Sequence, residues 1–436
     1  MSPHAVDSQT LGQSDPWELS KFAVTKNAFL PEDSPPNMLS DPYYESWELI
    51  AHNLAELIET RRIHDAIRDL PVLSTDLLKS EAEWRRAYVI LAFFTHAYVW
   101  GGEKAEEILP ASVAVPFLSV SAHLEAPPVL TYAACNLWNF SCSGDDFSKL
   151  EDLSTLVSFT GTESEAWFLL VSVAIEATAA PIIHTMLRAL EAVKVRDYQV
   201  IIKSLEELKV GIENTSALME RMYERCDPME FYYQIRPFLA GSMNMEDAGL
   251  PNGVFYSEGD GKGEWRKIRG GSNAQSSLIQ FYDAVLGIEH NGHSESEKSF
   301  HDEVREYMPG PHGRFLVHVA RSGSLRGLAL ETPVREEQHR LREAYTAAVD
   351  ALTEFRGKHV KLVTRYIIIP SKKPWAGTTR RNLASSSSKK RGEGLMGTGG
   401  TELIPFLRQA KVETEVSKIE RPEKAERPEN PENPEK

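Results

Sequence analysis

The residue best suited to bind a metal is a histidine on the apolar face of a long helix predicted before Pro370. Residues spaced three and four apart share one helix face, and the set here is Leu341, Tyr345, Ala348, Leu352, Phe355, His359, Leu362 and Tyr366. His359 is therefore expected to point into the core. A single histidine on such a stripe is most often a hydrogen-bonded core residue, so its spacing alone leaves a structural role open beside a ligand role.

Arg356 precedes His359 by about one turn and lies close to the same face. A guanidinium beside an apolar surface needs an anion, because burying an unpaired charge is costly. Haem meets both requirements, since its iron binds an imidazole and its propionates pair with an arginine. The pair therefore favours a haem site over a helical scaffold that has no cofactor.

Other potential ligands are isolated in the sequence. His290 and His293 lack further convergent ligands, which predicts that both are exposed to solvent. His312 follows a Pro-Gly-Pro turn, so we expect it in a loop, with a structural hydrogen bond. The glycine-rich segment GGSNAQSS (270–277) lacks the Lys-Ser/Thr pair of a phosphate-binding loop.

The elements that must position these residues are mostly helical. Helical periodicity dominates both halves of the chain, with few of the alternations that mark strands. A polar segment with turn signals, SCSGDDFSKLEDLST (141–155), separates the two halves. We predict a mainly α, two-domain protein, with a small helical domain over residues 41–157 and a larger haem-binding domain over residues 158–412.

Three segments lack the periodicity of packed helices. Residues 1–40 are rich in Pro, Ser and Asp, which predicts an extended or disordered arm. Residues 371–396 contain SSSSKKRGEG and are predicted to be a flexible loop, for which a nuclear signal is the less favoured interpretation. Residues 413–436 end in repeated Pro-Glu units, which predicts a disordered acidic tail.

The charge balance disfavours two classes of partner. The 436 residues include 48 basic and 63 acidic side chains, giving a formal net charge of -15. Such a chain lacks the positive surface that binds nucleic acid or an anionic membrane. The apolar run over residues 166–183 is interrupted by Glu176 and Pro181, which predicts a buried helix and not a membrane span.

The cysteines and the N-terminus predict a cytoplasmic protein. Cys135, Cys142 and Cys226 have neither zinc spacing nor the numbers of a disulfide framework, which indicates a reducing compartment. The first residues carry no basic segment followed by an apolar one, so no secretory signal is visible.

Eight blocks of sequence, in a fixed order, resemble the indoleamine 2,3-dioxygenases, and specifically fungal-type members. The blocks are VWGG (99–102), ILPASVAVPF (108–117), LEAPPVLTYA (124–133), GGSNAQSS (270–277), FYDAVLGI (281–288), YMPGPHGRFL (307–316), FRGKHVKLVTRYIIIP (355–370) and GTGGTEL (397–403). The similarity runs from about residue 41 to residue 407. An ordered set of this kind is far more specific than any single motif.

The resemblance implies haem b, ferrous in the active form, with His359 as the proximal iron ligand. It places Arg356 at a haem propionate and Ser272 as a hydrogen-bond donor to a propionate. It also implies that Asp283 lies near His359, where a carboxylate would make the imidazole a stronger donor. From the sequence alone, an aspartate that caps or bridges helices is an equal alternative.

On the opposite side, the resemblance places Phe168 and Ser172 over the haem, and Phe231, Tyr232 and Arg236 in the substrate pocket. Phe168 and Ser172 are four apart, so they can face one cavity. Ser172, Phe231 and Arg236 are the expected catalytic residues. Arg236 is expected to bind an amino-acid carboxylate with its bidentate fork, and an ordinary salt bridge is the alternative. Many members have phenylalanine in place of Tyr232, whose hydroxyl could alter substrate fit.

The segment GTGGT (397–401) is implied to close over the site. Its glycines permit closure, and Thr398 could bond the substrate ammonium group or a propionate. A turn before a short helix over residues 402–407 is the alternative.

The implied reaction inserts O2 across the indole C2–C3 bond of L-tryptophan to give N-formylkynurenine, the first step of the kynurenine pathway, which also supplies NAD biosynthesis. The expected partners are L-tryptophan, O2 and an electron donor for the haem, with no nucleic acid or membrane, and we expect a monomer. Two alternatives remain, a haem dioxygenase acting on another indole and a haem-binding sensor with little turnover.

Overall fold

The computed structural model describes residues 17–290, 300–375, 397–398 and 403–418. It is 63% helical and 6% strand, so the prediction of a mainly α protein is confirmed. The α-helices of the described residues are Glu45–His52, Leu54–Glu59, Ile63–Arg68, Glu81–Trp100, Ala111–Leu124, Glu163–Thr178, Ala180–Val195, Tyr198–Glu220, Met222–Arg225, Pro228–Glu230, Arg236–Leu239, Ser277–Leu286, Phe300–Arg305, Gly310–Arg321, Leu325–Leu330, Glu336–Val363 and Leu403–Val416.

Short 3-10 and π segments interrupt or extend these helices. The 3-10 segments are Leu19–Phe22, Pro42–Tyr44, Leu150–Asp152, Glu246–Ala248, Asn273–Gln275 and Pro370–Lys372. The π-helical segments are Ala133–Leu137, Phe231–Ile235 and Thr364–Ile368. The π form is rare and occurs often at functional sites.

Strands form two small sheets. Val254–Gly259 pairs antiparallel with Lys262–Arg266, with Val254 opposite Arg266, and parallel with Ile108–Leu109, with Ile108 opposite Phe255. Phe140–Cys142 pairs antiparallel with Leu153–Thr155. Neither sheet supplies the main core, which is helical.

The long helix Glu336–Val363 organises the second half of the chain. It packs against Tyr198–Glu220 along one side and against Leu403–Val416 along another. The predicted stripe is buried as expected at Leu341, Tyr345, Ala348, Leu352, Phe355 and Tyr366. The 3.6-residue period therefore predicted the orientation of this helix correctly.

The helix Glu81–Trp100 is buried over nearly its whole length and contacts both predicted domains. His96 Nδ1 lies 2.6 Å from the carbonyl of Phe238, and Trp100 Nε1 donates to the carbonyl of Ala240 at 2.7 Å. Buried hydrophobic side chains form one cluster that runs from Trp17 to Tyr366. The division into two domains stays a prediction.

The prediction of an extended or disordered N-terminal arm is wrong for residues 17–40. Phe29 and Leu30 are fully buried, and Leu19–Phe22 forms a 3-10 turn. Phe22 and Phe29 pack on Phe315 of the helix Gly310–Arg321. The segment is irregular yet packed, because its apolar residues are too unevenly spaced to produce a periodic signal; residues 1–16 lie outside the described part.

The prediction of a disordered C-terminal tail is wrong for its first residues. The helix Leu403–Val416 extends well past the predicted end at residue 407 and includes residues 413–416, which were predicted to be disordered. The buried Ala410 and Thr414, four residues apart, pack this helix on the long helix. The predicted loop 371–396, beyond residue 375, and the tail after residue 418 lie outside the described residues.

One helical stretch in the described part, Glu163–Val195, is long and apolar enough to cross a membrane by length and composition. Of its most apolar window, 61% is buried inside the protein, which is the pattern of a core helix. The stretch is divided at Ala179, and Pro181 lies in the first turn of its second helix. Proline is accommodated in the first turn of a helix, because a backbone N–H at that position would have no partner within the helix.

Candidate active site

A cavity of about 240 Å³ lies between the long helix and the helices that pack around it. Eight of the ten residues predicted for the site line it, namely Phe168, Ser172, Phe231, Arg236, Ser272, Arg356, His359 and Thr398. The other two, Tyr232 and Asp283, are buried behind the lining. The structure thus brings together residues that are up to 230 positions apart in the chain.

His359 presents its imidazole to the cavity. Within the described part of the chain, this ring makes no hydrogen bond, and it borders Phe355, Leu362 and Val363 in the lining. Burial, and after it the positive charge of Arg356, lowers the pKa of His359 to about 4. The ring is therefore neutral at neutral pH, and a nitrogen lone pair is available to a metal.

Arg356 has an anion from within the chain. Its Nη2 lies 2.7 Å from both carboxylate oxygens of Asp283. Its Nη1 donates to Thr414 Oγ1 and, at 3.3 Å, to the carbonyl of Ala410. Arg356 was expected to need an anion, and Asp283 is that anion in this structure. The predicted contact between Arg356 and a haem propionate stays a prediction.

Asp283 bridges two helices, the alternative that the sequence left open. It lies on Ser277–Leu286 and joins this helix to Glu336–Val363 through Arg356. The positive charge of Arg356 and a hydrogen bond from His290 outweigh the effect of burial and lower the pKa of Asp283 to about 2. The carboxylate is therefore ionised. It contacts Arg356, which lies one turn before His359 on the long helix.

His290 corrects the prediction of a solvent-exposed side chain. Its side chain is 7% exposed, with Nε2 at 3.1 Å from Asp283 Oδ2 and Nδ1 at 2.6 Å from Glu413 Oε2. Its partner Glu413 belongs to the helix Leu403–Val416. The sequence predicts a disordered tail at residue 413, so the contact between His290 and Glu413 could not be predicted. His293 lies outside the described residues.

An aromatic wall faces the cavity from the other side. Phe168 and Phe231 pack with ring centroids 4.8 Å apart, and Ser172 lies one turn after Phe168 on the same helix. Arg236 is 3% exposed, with its guanidinium 5.6 Å from the ring centre of Tyr232. Tyr232 therefore supports Arg236 from outside the lining and does not itself border the cavity.

Two polar segments close one edge of the cavity. Ser272 Oγ accepts from the amide of Ala274 at 3.3 Å, which starts the turn Asn273–Gln275. Thr398 Oγ1 donates to the carbonyl of Gly271 at 2.7 Å, and Thr398 O accepts from the amide of Gly270. The start of GTGGT is therefore attached to the glycine-rich loop; residues 399–401 of the predicted lid lie outside the described part.

Sequence reasoning missed a buried acid beside the cavity. Glu176 is fully buried on the helix of Phe168 and Ser172, and its Oε1 accepts from Tyr132 Oη at 3.0 Å and from Ser276 Oγ at 2.8 Å. Burial raises the pKa of Glu176 to about 7. The spacing of 168, 172 and 176 was the available signal, since residues four apart share a face.

Asn136 is a second missed residue in the lining. It is 4% exposed, and its Nδ2 donates to the carbonyl of Tyr132 at 3.3 Å. Its Oδ1 has no hydrogen-bond partner among the described residues. Asn136, Phe231 and Tyr366 all lie in π-helical segments, so each of those segments reaches the cavity. Their irregular backbone cannot be read from helical periodicity.

His312 also differs from its predicted surroundings. It lies in the first turn of the helix Gly310–Arg321 and not in a loop. Its ring is buried, with Nδ1 3.3 Å from Ser277 Oγ, and it does not line the cavity. The expected structural hydrogen bond is therefore present.

The donor set of the cavity fits haem. A neutral imidazole borders the cavity, apolar and aromatic side chains line much of it, and Ser272, Thr398 and Arg356 add polar groups to the lining. These are the features that hold an iron porphyrin, an imidazole for the iron and polar partners for the propionates.

Comparison with known proteins identifies the class. A family model for indoleamine 2,3-dioxygenase matches residues 18–417. An indoleamine 2,3-dioxygenase of Aspergillus nanangensis is 41% identical over 91% of this chain and 96% of its own length. A 6-hydroxytryptophan 2,3-dioxygenase of Fusarium equiseti is 40% identical over 87% of this chain and 92% of its own length. The indoleamine 2,3-dioxygenase of Saccharomyces cerevisiae is 36% identical over 91% of this chain and 92% of its own length.

The fold and the site define a helical, haem-dependent dioxygenase. The chain belongs to the indoleamine 2,3-dioxygenase family. The resemblance first seen in eight sequence blocks is therefore confirmed over most of the chain.

Proposed function

We propose that this protein is a haem b dioxygenase that opens the indole ring of L-tryptophan to give N-formylkynurenine. The observation that carries the proposal is the convergence of His359, Arg236 and the Phe168–Phe231 pair on one cavity. An iron ligand, a carboxylate partner and a surface for an indole ring are the three components that this substrate requires.

Haem, when bound, supplies the iron at which O2 is activated. His359 would hold it from the long helix, and Ser272, Thr398 and Arg356 would face its propionates. Asp283 fixes Arg356 with two hydrogen bonds, so the residues next to His359 are ordered before any ligand binds. Preordered groups lower the entropic cost of binding.

The chain positions the substrate by two contacts. Phe168 and Phe231 offer an apolar surface for the indole, and the buried guanidinium of Arg236 offers a bidentate partner for the carboxylate. Tyr232 packs below Arg236 and limits where its fork can move. Holding the ring in one orientation is the main contribution a protein makes when the cofactor performs the chemistry.

A ring-hydroxylated tryptophan is the second candidate substrate. One relative is named a 6-hydroxytryptophan 2,3-dioxygenase. Asn136 favours this alternative, because a buried carbonyl oxygen with no described partner would gain a hydrogen bond from a ring hydroxyl if its side chain turned toward the cavity.

Turnover of three substrates by the reduced, haem-loaded protein tests the proposal. L-tryptophan should be cleaved, tryptamine should be a poor substrate because it lacks the carboxylate for Arg236, and 6-hydroxytryptophan measures the alternative. Asn136→Leu is the matched variant: if the hydroxylated substrate is the native one, this change should lower its turnover and spare that of tryptophan. A haem spectrum without product from any of the three would make the protein a sensor.

We also propose a cytoplasmic monomer that needs an external electron donor to reduce its haem. Three unpaired cysteines support a reducing compartment. If the product is N-formylkynurenine, the reaction is the first step of the kynurenine pathway. Supply of NAD is one outcome of that pathway.

A further inference from the structure

A cluster of ligating side chains lies beside the cavity and apart from His359. Asp283, His290 and His301 each offer one ligand atom, and the three atoms lie within 4.8 Å of one another. They come from three segments, the helix Ser277–Leu286, the residues after it and the helix Phe300–Arg305. No part of the haem site as described above requires His290 or His301.

The contact between His290 and Asp283 has the dimensions of two ligands on one metal ion. His290 Nε2 and Asp283 Oδ2 are 3.1 Å apart. Two ligand atoms at about 2.0–2.1 Å from a tetrahedral zinc ion are separated by roughly 3.3 Å. A metal ion could therefore replace the shared proton with little movement of either side chain.

Glu413 orients the imidazole of His290 for this role. Its Oε2 lies 2.6 Å from His290 Nδ1, so it accepts the Nδ1 proton and leaves Nε2 directed at Asp283. Metal-binding histidines commonly donate their second nitrogen to a carboxylate in this way. The helix Leu403–Val416 thus supplies a supporting carboxylate to a site whose ligands lie on other segments.

His301 supplies the third ligand. Its ring stacks on that of His290 with centroids 3.6 Å apart, and no described residue forms a hydrogen bond with its ring nitrogens. His301 also lines the cavity. Coordination by both rings requires His301 to turn out of the stack, toward the position between His290 and Asp283.

The local charge favours a cation. Asp283 and Glu413 contribute two negative charges and Arg356 one positive charge, so the cluster has an excess of one negative charge once a metal ion has displaced the Nε2 proton of His290. Two imidazoles and one carboxylate form the donor set of three-ligand zinc sites, which keep a fourth position open. We propose that Asp283, His290 and His301 bind a divalent transition metal ion of the zinc class, separate from the haem iron.

Zinc titration of the full-length, haem-loaded protein tests the proposal after free metal has been removed with a chelator. Calorimetry should find one zinc ion bound per chain, and cobalt substitution should give the visible absorption of a tetrahedral site. His301→Leu should weaken zinc binding at least 100-fold, and Glu413→Gln should weaken it roughly 10- to 100-fold, as other losses of supporting carboxylates do.

Three further variants keep the result interpretable. His52→Leu removes an exposed histidine outside the cluster and should leave zinc binding unchanged; His301→Gln replaces His301→Leu if the leucine variant loses its helical content. The same titrations on a His359→Ala background exclude the haem ligand as the zinc site. Absence of zinc binding, or equal affinity in the wild type and both His301 variants, would overturn the proposal. A wild-type protein that binds zinc but takes up no haem would instead count against the proposed function alone.

Discussion

Two histidines, both on long helices that face the interior, differ in what surrounds them. His96, on Glu81–Trp100, has both ring nitrogens engaged: Nδ1 faces the carbonyl of Phe238 at 2.6 Å, and Nε2 accepts from the amide of Leu130 at 3.1 Å. His359, on Glu336–Val363, has no described hydrogen bond and borders a cavity. Burial lowers the pKa of each to about 4, so their charge states are alike.

The contrast separates a structural histidine from a ligand. His96 joins three parts of the core, and its lone pair is already used. His359 contributes no described hydrogen bond to the fold, and its imidazole remains open to a metal. The pKa does not distinguish these roles, whereas the presence or absence of described hydrogen-bond partners does.

The largest expected effect comes from His359→Ala. This variant should lose most of its haem, or lose the spectrum of a five-coordinate histidine-bound iron, because the proposed iron ligand is removed. Absorption of the Soret band and circular dichroism measure the two properties. Helical content should stay that of the wild type. A variant that keeps both the haem spectrum and activity would refute the ligand assignment.

The opposite pattern is expected for His96→Ala. Removing the ring leaves the amide of Leu130 and the carbonyl of Phe238 buried without partners, at a cost of about 1–3 kcal/mol for each. Denaturant unfolding should therefore report a loss of roughly 2–6 kcal/mol. Haem content per folded chain should not change, and a loss of haem without a loss of stability would erase the distinction between the two histidines.

A smaller effect is expected at Arg236, which belongs to the substrate side of the cavity. Arg236→Leu should reduce the preference for tryptophan over tryptamine by roughly tenfold to a hundredfold, because a charge-assisted hydrogen bond is worth about 1.5–3 kcal/mol. Steady-state kinetics on both substrates gives the ratio. Haem loss in this variant, or an undiminished preference, would make Arg236 a structural ion-pair partner.

An effect that is absent at neutral pH concerns acid stability. Burial lowers the pKa of His96 from 6.5 to about 4, so below pH 6.5 the unfolded chain takes up a proton that the folded chain does not. Its contribution is constant above pH 6.5, and stability falls by up to about 1.4 kcal/mol per pH unit as the pH drops toward 4.

The comparison of the wild type with His96→Gln over this range isolates the contribution of His96. The free energy of unfolding should fall less steeply with decreasing pH in the variant than in the wild type. Equal slopes would show that His96 is not the titrating group, since His312, whose pKa burial lowers to about 3, titrates in both proteins.

The sequence predicted the orientation of the long helix because helical burial repeats every 3.6 residues. The cavity residues came from resemblance and not from periodicity, since Phe168, Arg236 and His359 meet only in the folded chain. The pair Asp283–Arg356 joins residues 73 positions apart, and no local pattern specifies such a partner. Arg356 was correctly expected to need an anion, but the identity of that anion depends on how two helices pack.

The errors have equally specific causes. The composition of residues 17–40 predicts an extended or disordered arm. Phe29 and Leu30 are nevertheless buried, because the helix Gly310–Arg321 offers an apolar surface. The composition of residues 413–436, dominated by the Pro-Glu repeats at its end, predicts a disordered tail and does not indicate that the helix Leu403–Val416 continues into it. With Glu413 assigned to a tail, the environment of His290 could not be foreseen.

Single turnover with isotopically labelled O2 tests the central claim most directly. The haem-loaded protein is reduced without oxygen, mixed with L-tryptophan and then exposed to the labelled gas, and the product is analysed by mass. We predict N-formylkynurenine in which both added oxygen atoms carry the label, from the wild type and not from His359→Ala. A product with only one labelled oxygen, or no product from a protein with a normal haem spectrum, would contradict the assignment of this chain as a tryptophan dioxygenase.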